Sequence, residues 1–185
     1  MKIRRWIKLR DSRIISTRIF DLYRRRAHQP RRGERDFYIL DAPPWVNIIP
    51  MTPAGEIVMV RQWRHGISDF TLEIPGGMVD PADRSPKAAA RREMLEECGY
   101  DSSRIVMLGW VHPNPAIQPN RCYSFLASGV RKIADPHFIS DEETQVVLVR
   151  AGEIKNLIAS RKITHALVIA AFSFFHVYNP PRAGR

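Results

Sequence analysis

The segment from Ser85 to Gly99, SPKAAARREMLEECG, constrains the fold more than any other part of this chain. Ser85 has the side chain of an N-cap, and Pro86 suits the first helical position, where a missing N–H does no harm. Strong helix formers fill the interior, and Gly99 ends it, since glycine adopts the left-handed conformation of a helix terminus most readily. On this helix Glu93, Glu96 and Glu97 fall within an arc of about 100°. Met94, Leu95 and Cys98 lie on the other side and can pack on a sheet. Like charges three and four residues apart repel, and more so once they leave water. Arg92 can neutralise Glu96 at i,i+4, which leaves Glu93 and Glu97 for another cation. A hard divalent ion such as Mg²⁺ binds a few carboxylate oxygens, keeps several waters and bridges to substrate phosphates. A solvated acidic face is the alternative for such a hexamer taken alone.

The surroundings of the helix read as mixed α and β. Residues 45–51 (WVNIIPM) and 56–63 (EIVMVRQW) form a hairpin around the turn TPAG, and a strand at 70–74 runs into Pro75-Gly76-Gly77. Further strands are expected at 105–112, 121–130 and 144–149. Closing helices are expected at 152–160 and 165–178, the last capped by Thr164. Trp45, Trp63 and Trp110 read as core residues. Ahead of this body, residues 14–23 and 36–41 predict a two-stranded antiparallel ribbon turning at Pro30–Gly33. Such a ribbon is marginal alone and should lie on the body or on a second copy of the chain. Pro43-Pro44 sets the boundary, giving a ribbon over 1–43, a main domain over 44–180 and a tail over 181–185.

Residues 76–100, GGMVDPADRSPKAAARREMLEECGY, resemble the box that defines the Nudix hydrolases. Gly77 stands at its first glycine, Arg92-Glu93-Met94 and Glu96-Glu97 at its arginine and paired acids, and Gly99-Tyr100 at its end. Asp83 occupies the place of the first glutamate, with eight residues rather than seven between it and Arg92. The lead-in Arg61-Gln62-Trp63-Arg64 followed by Leu72-Glu73-Ile74-Pro75-Gly76-Gly77 is similar to that of the ADP-ribose pyrophosphatase branch. The resemblance covers residues 14–178, strongly at the box and weakly in the first forty. It implies an αβα sandwich around a mixed sheet, preceded by the ribbon. It also implies hydrolysis of a nucleoside diphosphate linked to another group, with ADP-ribose giving AMP and a sugar phosphate.

The same resemblance implies roles for single residues. Glu93 and Glu97 would ligate Mg²⁺ or Mn²⁺, Glu96 would ligate it or stand behind the ligands, and the Gly76 carbonyl would complete a coordination sphere. Arg92 would orient the acids. A further catalytic or metal-binding acid is expected from SDEET at 140–144: Glu142 first, Glu143 second. Arg64 is the candidate phosphate clamp, since its guanidinium can fork onto two oxygens. Glu73 and Gly77 complete the substrate contacts, Glu73 either meeting the ribose or base or buttressing the turn. His112, Asn114, Asn120 and Arg121 flank a proline-rich loop long enough to form a substrate wall.

Charge bears on partners. Thirteen of the 29 basic side chains but three of the 19 acidic ones lie in residues 1–35, so these carry the whole formal charge of +10. The remaining 150 residues are balanced. In the branch resembled, N-terminal strands exchange across a homodimer, which fits an isolated ribbon. Nucleic acid is the lesser expectation, for no RNA-recognition motif accompanies the arginines. A catalytically silent nucleotide sensor is opposed by the three retained acids. Two cysteines without paired spacing suggest neither a disulfide scaffold nor a zinc site and fit a cytoplasmic protein. The start lacks the apolar core of a secretory signal, and the longest apolar stretch falls short of the ~20 residues that span a bilayer.

Overall fold

The computed structural model describes residues 2–137 and 144–178. The chain divides into two units, Met1–Pro43 with His112–Arg121, and Pro44–Val111 with Cys122–Arg185.

The first unit holds three strands, β1 (Ile7–Ser16), β2 (Asp21–Gln29) and β3 (Gly33–Asp41), in one antiparallel sheet of that order. This corrects the two-stranded reading. Residues 14–23 are not one strand, because the chain reverses at 17–20. There the Thr17 hydroxyl accepts the N–H groups of Ile19 (3.3 Å) and Phe20 (3.0 Å), and Thr17 N–H donates to the Phe20 carbonyl. A threonine turn of this kind carries no glycine or proline to betray it. Of the run Arg24-Arg25-Arg26 in the middle strand, Arg25 and Arg26 are received by acids of the neighbouring strands. Arg25 forks onto Asp11 of β1 at 2.8 and 2.9 Å, and Arg26 reaches Glu34 and Asp36 of β3 at 3.0 and 3.1 Å. The proline-rich loop is tied to the end of this sheet, with Leu40 N–H donating to Ile117 and the Asn120 amide to the Pro43 carbonyl.

The second unit runs β4 (Trp45–Met51), β5 (Glu56–Arg64), β6 (Asp69–Glu73), β7 (Gly76–Met78), α1 (Pro86–Cys98), β8 (Tyr100–Asp101), β9 (Ile105–Val111), β10 (Cys122–Ser128), β11 (Arg131–Lys132), β12 (Thr144–Arg150), α2 (Ile154–Ala159) and α3 (Ala166–Val177). A seven-stranded sheet takes the order β12-β5-β4-β10-β9, with β6 on β5 and β7 on β4. The β4–β10 pair is parallel and the others antiparallel, so the sheet is mixed as expected. β8 and β11 form a separate two-stranded pair.

Each face of the sheet carries its own core. Val46, Ile48, Val58, Val60 and Phe125 pack under Ala89, Ala90, Met94 and Cys98 of α1. On the other face Ile49, Ile57, Met59 and Leu126 pack with Ile154 of α2 and Val168, Ala171 and Phe172 of α3. The result is the αβα sandwich, built on continuous apolar runs in β4 and β5 that only a sheet covered on both sides can hide. Small residues at 88–90 let α1 approach the strands closely. Three readings need correction. Leu95 stays 37% exposed, and Trp63 and Trp110 are 42% and 40% exposed, since branched aliphatics already fill both cores. The helix at 152–160 is a 3₁₀ turn (Ala151–Glu153) followed by α2. Thr164 does not cap α3: His165 takes the N-cap position and makes no side-chain cap bond, so burial of Val168, Ala171 and Phe172 sets where that helix starts.

Candidate active site

The Pro75 break ends β6 and starts β7, and this turn brings two glycines beside α1. The backbone at Gly76 and Gly77 pairs with Asn47 and Val46 of β4. A side chain at Gly76 would run into the Val46 carbonyl, and one at Gly77 into the Glu93 carboxylate. Gly76 therefore needs glycine for space against backbone, whereas a side chain at Gly77 would displace the end of Glu93. Gly76 N–H donates to Glu97 Oε2 at 3.2 Å, joining β7 to the last turn of the helix. Ser85 caps α1 as expected, accepting Ala88 N–H at 3.2 Å, and Gly99 closes it in the left-handed region at φ 72°.

Arg92 organises the acids. It donates to Asp83 Oδ2 at 2.9 Å and Oδ1 at 3.3 Å, to Glu93 Oε1 and Glu96 Oε2 at 3.0 Å each, and to the Met78 carbonyl at 3.2 Å. Asp83, one residue out of step with the box, thus meets the arginine through a bidentate contact. The extra loop residue offsets the shorter side chain. Arg92 engages one oxygen of Glu93 and one of Glu96, and the second oxygen of each accepts no hydrogen bond among the described residues. Burial pushes the Glu93 carboxyl up to about 7, against the pull of Arg92 and with the push of Glu96 and Asp80. The Asp83 carboxyl is held below its ordinary value, first by the hydrogen bond from Arg92. Among the described residues no three acids, histidines or cysteines converge into a ready-made cation site.

Arg64 and Glu73 meet directly. The guanidinium forks onto the carboxylate, Nε to Oε1 and Nη2 to Oε2 at 2.8 Å each, and the Thr71 hydroxyl also donates to Oε1. Glu73 is 3% exposed. Burial raises its carboxyl, but the Arg64 hydrogen bonds and charge, then His165 and Thr71, outweigh that and leave it below the ordinary value. Glu142 and Glu143 lie outside the described residues. Their flanks do not: His137 N–H donates to the Glu96 carbonyl at 2.8 Å, and the Thr144 hydroxyl to the Glu97 carbonyl at 2.8 Å. The pairing of Asp83, the docking of His137 and the tether from Thr144 were not foreseen. Only Asp83 has a signal in the sequence, its place at the first acidic position of the box.

A family model described as the NUDIX domain matches residues 42–172. The chain is 24% identical over 165 residues to an ADP-ribose pyrophosphatase of Bacillus subtilis (strain 168), covering 89% of each chain. It is 29% identical over 151 residues to an ADP-ribose pyrophosphatase of Mycobacterium tuberculosis (strain ATCC 25618 / H37Rv), covering 76% of this chain and 73% of that one. A solved structure described as an ADP compounds hydrolase superposes with a TM-score of 0.83 over 95% of both chains at 17% identity, a likeness of fold.

Proposed function

The chain belongs to the NUDIX domain family, and from that premise we propose that it is a divalent-metal-dependent pyrophosphohydrolase acting on ADP-ribose to give AMP and ribose 5-phosphate. The observation that carries this reading is the acid arc of α1 set against Gly76–Gly77. The fit to a cation rests on chemistry visible at the site. Three carboxylates share a helix face with one arginine, burial has raised the Glu93 carboxyl, and the missing Cβ of Gly77 makes room for its oxygens. Glu93, Glu97 and the Gly76 carbonyl would hold Mg²⁺ or Mn²⁺, with Glu96 and Glu142 beside them. The ion would supply neutralisation of the diphosphate and a lowered pKa for the attacking water.

The remaining work falls to protein groups. Arg92 orients Glu93 and Glu96 and keeps their repulsion in check. Arg64, with its plane already fixed by the buried Glu73, is the group to fork onto phosphate oxygens, as a planar guanidinium does. Glu73 sets the aim of Arg64 from behind. Glu142, or Glu143, takes the proton of the attacking water, a reading supported by His137 and Thr144 on either side of them, which bond to the carbonyls of Glu96 and Glu97. We further read the protein as a cytoplasmic homodimer assembled through the ribbon, with a small-molecule nucleotide rather than nucleic acid as its partner. The exposed Ile7, Leu9, Ile14 and Ile15 of β1 support the dimer, and two free, buried cysteines are compatible with a reducing compartment.

The test is AMP release from ADP-ribose, GDP-mannose, NADH and capped RNA with Mg²⁺, for wild type and Glu97→Gln. ADP-ribose should lead, and Glu97→Gln should abolish turnover. Glu142→Gln should lower kcat by about 10²- to 10⁴-fold with an unchanged thermal midpoint, the range for losing a general base. No turnover of any substrate, or a fully active Glu97→Gln, would remove the reading.

A further inference from the structure

Helix α1 stops at Cys98, so the carbonyls of its last turn have no partner within the helix. Gly99 N–H takes that of Leu95 at 2.9 Å. The next two are taken from distant parts of the chain, Glu96 by His137 N–H and Glu97 by the Thr144 hydroxyl, both at 2.8 Å. Glu97 is therefore held at both ends, since its side chain also receives Gly76 N–H. Two hydrogen bonds thus connect the first residue of β12, through Glu97, to the first residue of β7.

We infer that Thr144 is a positioning residue for the catalytic centre: its hydroxyl fixes the last turn of α1, and with it the Glu97 carboxylate relative to Gly76. The inference rests on the proposed role of Glu97 and Gly76 in binding the cation. Three observations favour a role for the hydroxyl beyond packing. Thr144 sits in register with Gln62 of β5, so its backbone belongs to the sheet, while its hydroxyl donates to the helix. Helix ends fray, and this one must hold an acid that is 9% exposed. The C-terminal carbonyls also carry partial negative charge, which at Glu97 adds to the charge of three carboxylates. A donor there offsets it.

Valine at 144 keeps the shape and strand preference of threonine without the donor, whereas serine keeps the donor without the methyl. The full-length variants Thr144→Val, Thr144→Ser and Glu97→Gln are compared with wild type by titration with Mn²⁺ in the absence of substrate, by kcat and KM for ADP-ribose, and by thermal midpoint. Thr144→Val should weaken Mn²⁺ binding and lower kcat by about 10- to 100-fold, the usual cost of losing a group that orients metal ligands, with KM nearly unchanged. Thr144→Ser should restore both. If serine fails as badly as valine, the methyl and not the hydroxyl matters and the inference falls. If valine lowers only the midpoint while Glu97→Gln loses Mn²⁺, Thr144 is merely structural and the proposed role of Glu97 stands. A Glu97→Gln protein that binds Mn²⁺ normally removes that role and the inference with it.

Discussion

Replacing Arg92 with methionine, which keeps much of the stem and loses the charge, tests why so many acids are tolerated together. Arg92 lies 2.9 Å from Asp83 and 3.0 Å from Glu93 and Glu96, and the side chains of Asp83 and Glu93 are only 9% and 13% exposed. Removing one partner of a buried ion pair costs about 3–5 kcal/mol, because a charge is left in poor solvent. Arg92 is itself 28% exposed, which points to the lower end, about 3 kcal/mol. In a chain of this length that lowers the thermal midpoint by roughly 6–12 °C. Changing pH separates the two acids. A raised carboxyl such as Glu93 contributes stability that is complete below its ordinary 4.5 and lost as pH climbs through about 7. Without Arg92 it titrates higher still, and the loss reaches further into the alkaline range. Asp83 has the opposite sign: held below 3.8, it contributes stability present above that value and lost only in acid. Near pH 5 the variant should therefore show the Asp83 deficit alone, and near pH 8 the deficits of Asp83 and Glu93 together. Thermal melts of the metal-free full-length protein at the two pH values read this directly. Equal losses at both, or a loss under about 1 kcal/mol near pH 8 where 3 is expected, would refute the reasoning.

Two glycines make contrasting predictions. Gly77→Ala places a methyl against the flexible end of Glu93, so the midpoint should hardly move while kcat with Mg²⁺ collapses; a stable and fully active variant would show that the Glu93 carboxylate does not need that space. Gly99→Ala meets backbone, the Ala134 carbonyl, at a positive φ of 72°, so urea unfolding should reveal a loss of more than the roughly 1 kcal/mol of left-handed strain alone; a loss below that would mean the 133–135 segment yields easily.

The parts of the fold that could be read from the sequence are those whose signals are local. Ser85 and Pro86 mark the start of α1 and Gly99 its end, each acting on the residues next to it, and the spacing of Arg92, Glu93, Glu96 and Glu97 fixes which side chains share a face. The β4–β5 turn is similarly announced by TPAG, with Gly55 N–H closing on Thr52. The three strands of the ribbon are hidden in the sequence for a physical reason. Its first turn is made by the Thr17 hydroxyl, and its central strand contains three consecutive arginines, of which Arg25 and Arg26 pair with acids on other strands, Asp11, Glu34 and Asp36. A charged strand reads as polar loop until its cross-strand partners are known.

The same distinction runs through the candidate site. The three acids of α1 are visible as a pattern, but a pattern of repelling charges predicts only that something must hold them, and what holds them is distant in sequence. Asp83 reaches Arg92 across 9 positions, Gly76 reaches Glu97 across 21, and Thr144 reaches Glu97 across 47. Each longer connection needs more of the sheet in place before it can form, because the ends it joins are brought together only by β7 and β12 taking their places beside β4 and β5. The sheet does more than carry the helix: Gly76 of β7 holds the Glu97 carboxylate and Thr144 of β12 its carbonyl, so Thr144→Val, far from the box, should weaken the chemistry that Glu97→Gln abolishes.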